Sequence, residues 1–122
     1  MAGKTTLESR LQDYDGVAVS ILSEARIACL IASLDDVQSW PARLHLCQCI
    51  RHFHLSPGQA FALRLWLSPL LNHQRPFLRT WALDGLCHLP NAGQEPEILQ
   101  HLDAMENDPA ASVRARARAL RK

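Results

Sequence analysis

One helix opening occurs three times in this chain of 122 residues, and its spacing constrains the fold more than any other feature. Ala42-Arg43 leads to Leu46, Ile50 and Phe53; Leu78-Arg79 to Ala82, Leu86 and Leu89; Val113-Arg114 to Ala117, Leu120 and Arg121. Arg43, Arg79 and Arg114 stand 36 and then 35 residues apart. Apolar residues at intervals of three and four mark one face of a helix. A helix opening that returns at this period marks stacked helical hairpins. The pattern predicts an all-α chain, a right-handed α-solenoid of about three hairpins over residues 17–122. Residues 1–16 are polar apart from Leu7, Leu11 and Tyr14 and read as a flexible start with a short N-terminal cap.

Proline and serine place the helix starts. Pro76 opens the central helix, expected over 76–89, since a proline at the first position gives up an N–H that would be unpaired there anyway. Trp40-Pro41 starts an earlier helix, expected to end near His54. Ser56-Pro57 supplies an N-cap and a first position for a third, in which Pro69 predicts a kink near Ser68. Pro96 starts an acidic helix, and Asn107-Asp108-Pro109 turns into the last one, whose outer face is arginine. The helix expected over 17–33 is almost wholly apolar or small, and is either covered on two sides or offered to a partner, a second copy included. Glu24 and Arg26 near its centre argue against a membrane span.

The formal net charge of +1 hides a basic, acidic, basic order. No acidic residue lies between Asp36 and Asp84, while Arg43, Arg51, Arg64, Arg75 and Arg79 all do. From Asp84 to Asp108 six acids stand without a Lys or Arg, and the last eleven residues carry Arg114, Arg116, Arg118, Arg121 and Lys122. The polar start carries no secretory signal, so the four cysteines are expected to be reduced thiols of a cytoplasmic protein.

The opening of the last helix, Asp108-Pro109-Ala110-Ala111-Ser112-Val113-Arg114-Ala115-Arg116-Ala117, resembles the second helix of the short HEAT-like repeats of the phycobilisome-lyase type. Pro76-Phe77-Leu78-Arg79 with Ala82 resembles it in part, and Pro41-Ala42-Arg43 more distantly. The resemblance covers roughly residues 17–122. It implies HEAT-like hairpins that bind other macromolecules along a concave surface lined by the second helices. It also implies a structural role for the arginine after the apolar residue, at Arg43, Arg79 and Arg114.

No stretch names a reaction. His45, Cys49 and His52 share a helix face, but three ligands there would span about 10 Å at ~1.5 Å per residue, too far for one ion. Neighbouring Cys87 and His88 diverge by about 100° and cannot act as nucleophile and base. Asp84 and His88, one turn apart, read as a surface pair. Trp81 is expected to pack over Gly85, one turn on, and Trp66 to lie in the core. No catalytic residue, metal or cofactor is therefore expected. The chain reads as a non-enzymatic protein-interaction module or adaptor. Arg43, Arg51, His52 and Arg79 are its candidate contacts, and another protein with an acidic surface its expected partner. The other reading is a nucleic-acid-binding module that uses the arginine-rich 37–83 segment and the C-terminal arginines. Arg114, Arg118 and Arg121 are expected to pair with the preceding acidic helix (Glu95, Glu97, Asp103, Glu106).

Overall fold

A computed structural model describes residues 24–121. Those residues form six α-helices joined by short 3-10 turns, and no strand occurs among them. The N-terminal cap and the first part of the helix expected over 17–33 lie outside the described residues. Helix α1 (Glu24–Ala32) buries Ile27 and Leu30 and leaves Ala25, Ala28, Cys29 and Ala32 exposed. Helix α2 (Trp40–Cys49) starts where the Ser39 hydroxyl accepts the Ala42 N–H at 3.3 Å, then tightens into a 3-10 turn at Ile50–His52.

Helix α3 (Pro57–Leu67) opens with a full capping box: Ser56 Oγ accepts the Gln59 N–H at 3.2 Å, and Gln59 Oε1 accepts the Ser56 N–H at 3.0 Å. At Pro69 the helix does not kink and continue. It stops at Leu67 and passes into a 3-10 turn, Ser68–Asn72. Proline has no N–H for the carbonyl one turn back, and the Ser68 hydroxyl donates to the Arg64 carbonyl at 2.8 Å.

Helix α4 (Pro76–Cys87) follows, ending two residues short of Leu89. The next turn puts Asn91 at φ 62°, a left-handed conformation that asparagine tolerates. Helices α5 (Pro96–Met105) and α6 (Ala111–Leu120) complete the described chain.

Helix α4 lies at the centre. It packs between α2 and α6, and also touches α3, the Ser68–Asn72 turn and α5. It accordingly buries Leu78, Thr80, Ala82, Leu83, Asp84, Gly85 and Leu86. A helix enclosed on several sides needs one position where a neighbour can come close, and Gly85 is that position. A Cβ there would stand 3.2 Å from Ile50 Cδ1 and 3.4 Å from both Leu67 methyls. Trp81 therefore does not pack over Gly85, whose bare face belongs to Ile50 and Leu67.

The consequences of substitution follow from these distances. Gly85→Ala asks only two side-chain tips to yield a few tenths of an ångström and gains about 1 kcal/mol of helix propensity, so it is expected to be close to neutral. Gly85→Val drives further carbons into a filled interface and is expected to cost about 2 kcal/mol. Urea unfolding of both variants checks the contrast.

Candidate interaction site

The three recurring arginines perform the same local task. Arg43 Nε donates to the Val37 carbonyl at 3.1 Å. Arg79 Nη1 donates to the carbonyls of His73 at 2.8 Å and Gln74 at 3.2 Å. Arg114 Nη1 donates to those of Asp108 at 2.7 Å and Pro109 at 2.9 Å. In each case a guanidinium at the head of a helix ties down the loop that enters it, reaching a carbonyl six residues back. Arg79 also grips Asp108 with two parallel bonds, both 2.9 Å, and so joins the start of α4 to the loop before α6.

A second group of charges spans three elements. The Asp84 side chain on α4 is 1% exposed. Its Oδ2 accepts from Arg51 Nη2 at 2.9 Å and its Oδ1 from Arg116 Nη1 at 3.2 Å. His88 Nδ1 stands 3.3 Å from Oδ2 and 2.8 Å from the Asp84 carbonyl. The two guanidiniums also lie over the Trp81 ring, with Arg116 4.5 Å and Arg51 5.4 Å from its centroid. Arg51 comes from the turn after α2, Trp81 and Asp84 from α4, and Arg116 from α6.

The carboxylate fixes two cations that would otherwise be mobile, and the indole completes their support. Their side chains remain 35% and 32% exposed, so both cations stay accessible from solvent. Two arginines against one acid leave the cluster a net positive charge. Asp84 is thus no surface residue: it is the buried hub of the group.

The four contacts expected from the sequence fall in two places. Arg51 belongs to the Asp84 cluster, with His52 half-buried beside it at the end of the same turn. Arg43 and Arg79 gather with Arg75 around His73, whose pKa is lowered by burial first and then by these three guanidiniums. Sequence reasoning counted Arg116 only among the C-terminal arginines and gave it no place beside Arg51. The signal was there: Trp81 and Arg116 each stand two residues after a recurring arginine, where the first repeat has His45.

Of the three arginines expected to pair with the acidic helix, Arg121 does so, while Arg114 is engaged by the Asp108 and Pro109 carbonyls instead, and the pairing of Arg64 was not foreseen. Arg121 reaches Asp103 and Glu106 on the acidic helix, and Arg64 on α3 meets Glu95 at 3.1 Å. The thiols near the cluster are held protonated at neutral pH. Burial pushes Cys47 up strongly and Cys49 to about 11, while burial and then the Asp84 charge push Cys87 to about 11. Thiols so held are poor nucleophiles, and the cluster offers cations to bind with. No helix among the described residues is long and apolar enough to cross a membrane. Comparison with protein-family models, curated proteins and solved structures found no match to this chain.

Proposed function

We propose that the chain is a small right-handed α-solenoid of about three HEAT-like hairpins that acts as a non-enzymatic adaptor, binding an acidic partner protein across α2, α4 and α6. The observation that carries this reading is the cluster of Arg51, Trp81 and Arg116 around buried Asp84. It presents two fixed cations and an aromatic ring from three different elements on one surface. Arginines held in place lose little freedom on meeting a carboxylate, and arginine with tryptophan is the pair most enriched where binding energy concentrates. Arg43, His52 and Arg79 extend the surface. The repeat reading is supported by the position of α4 between α2 and α6 and by the loop contact that recurs at Arg43, Arg79 and Arg114. The four free thiols are compatible with a cytoplasmic setting.

The test is capture from native lysate by the tagged full chain, with and without nuclease, beside the variants Trp81→Ala and Arg116→Gln. The expected result is a protein retained by the parent chain after nuclease and reduced about tenfold by either variant, while helix content by circular dichroism stays unchanged. Equal recovery by parent and variants, or no protein retained once nuclease has been added, overturns the proposal.

A further inference from the structure

The opposite ends of the same helices carry Trp40, Arg75 and Phe77, which the adaptor reading does not use. Trp40 is the first residue of α2 and Arg75 the residue before α4. The Arg75 guanidinium lies 3.9 Å from the centroid of the Trp40 ring, so the two helices begin on one edge of the molecule. Trp40 is 41% exposed, and Phe77, two residues after Arg75, is 65% exposed. Each of these rings offers an uncovered flat apolar face at the start of its helix.

Positive charge predominates there. Arg43, Arg75 and Arg79 all press on His73. Among the described residues Arg79 has a carboxylate partner, Asp108, and no carboxylate pairs with Arg43 or Arg75. The positive ends of two helix dipoles add to this field. The whole edge comes from the stretch between Asp36 and Asp84 that contains no acid.

We infer that this edge, built from Trp40, Arg75 and Phe77 with Arg43 beside them, is a binding site for single-stranded nucleic acid. The chemistry has two parts. Guanidiniums without a carboxylate partner and helix starts attract a phosphate backbone whatever its sequence. The Trp40–Arg75 stack and the Phe77 ring offer flat faces on which bases lie, and base–aromatic stacking is sequence-tolerant because every base has a π face. A duplex keeps its bases stacked on each other and has none to give these rings. An acidic peptide would satisfy the arginines but leave the flat faces unused. The site is separate from the Asp84 cluster and does not depend on the adaptor reading.

Fluorescence anisotropy of a labelled oligothymidylate of about twelve residues, titrated with the full-length chain at low salt, tests the inference. Binding is expected in the micromolar range, with affinity falling as salt rises by a log–log slope near −0.7 for each phosphate contacted. Trp40→Ala and Arg75→Gln are each expected to weaken it about tenfold, the scale of one lost stacking contact. Arg75→Gln should also make the salt slope shallower. Arg118→Gln removes the same charge from an exposed position on α6 and serves as the control for net charge. The inference is overturned if the oligonucleotide does not bind at low salt, or if Arg118→Gln weakens it as much as Arg75→Gln. It is equally overturned if an acidic peptide displaces the strand as well as unlabelled oligonucleotide does. Trp40 and Arg75 are both exposed, so their variants keep the fold, and circular dichroism verifies this before titration. Loss of acidic-partner capture in Trp81→Ala with oligonucleotide binding intact would separate the two sites.

Discussion

Replacing Arg79 by alanine is expected to lower the unfolding free energy by about 3 kcal/mol, near the lower end of the range for breaking a buried ion pair. The Arg79 side chain is 14% exposed and Asp108 7%, so water can replace the lost partner only in part. The variant loses both bonds to the carboxylate and the bonds to the His73 and Gln74 carbonyls. Asp108 keeps only the Ala110 N–H at 2.8 Å among its named donors. Lysine at 79 is expected to recover less than half of the loss, because a point charge cannot span two carboxylate oxygens and reach back to the loop as well.

The loss should depend on pH. The Arg79 hydrogen bonds are the main cause that holds the Asp108 pKa below its ordinary 3.8. A depressed acid stabilises the fold fully above its unfolded value, and that contribution disappears as pH falls through the lower folded value. The gap between parent and Arg79→Ala should therefore be widest near neutrality and narrow below pH ~3.8 as Asp108 takes up its proton. His73 acts earlier and in the same direction. Its pKa is lowered from 6.5, so its contribution is complete above 6.5 and is lost as pH falls through the folded value. Urea unfolding of both chains across this range checks the magnitude and the sign together.

The elements of the fold were legible because their signals are local. Pro41, Pro57, Pro76 and Pro96 stand in the first turns of helices, and Ser56 caps as its type suggests. The recurrence of the arginines was legible too, but their structural role came only from the resemblance, although a side chain that reaches a carbonyl six residues back depends only on nearby sequence. The Asp84 cluster was not legible. Beside His88, Asp84 has the spacing of an ordinary pair on a helix surface, and it becomes a buried hub only when Arg51 and Arg116, more than thirty residues away on either side, are brought to it. Trp81 was misplaced over Gly85 because spacing was used without direction. Side chains of a helix lean toward its N-terminus, so a ring at 81 covers the turn before it and leaves position 85, one turn later, open. Pro69 was read as a kink because sequence marks where a helical bond is lost, while the packing of Leu70 and Leu71 into the core decides whether the helix resumes.

The cluster also yields an ordering of stabilities that charge counting alone does not supply. Removing Arg51 and Arg116 together leaves a carboxylate that is 1% exposed with only His88 beside it, and is expected to cost about 4 kcal/mol. Each single substitution leaves Asp84 one guanidinium and is expected to cost about 1.5 kcal/mol, so the double loss exceeds the sum. Asp84→Ala is expected to be milder than the double substitution, about 2 kcal/mol, because the two cations it frees are already one-third exposed and can swing outward. That freedom is what makes the variant informative about binding. Asp84→Ala raises the net positive charge of the face by one. A partner held by charge alone would bind it more tightly than the parent. A partner held by guanidiniums fixed in advance must order them itself, at a cost in lost rotamers on each side chain. With two such side chains released, affinity for an acidic partner is expected to fall about tenfold despite the added charge. Tighter binding to Asp84→Ala would mean that the field of the face, and not the fixed geometry around Trp81, recruits the partner.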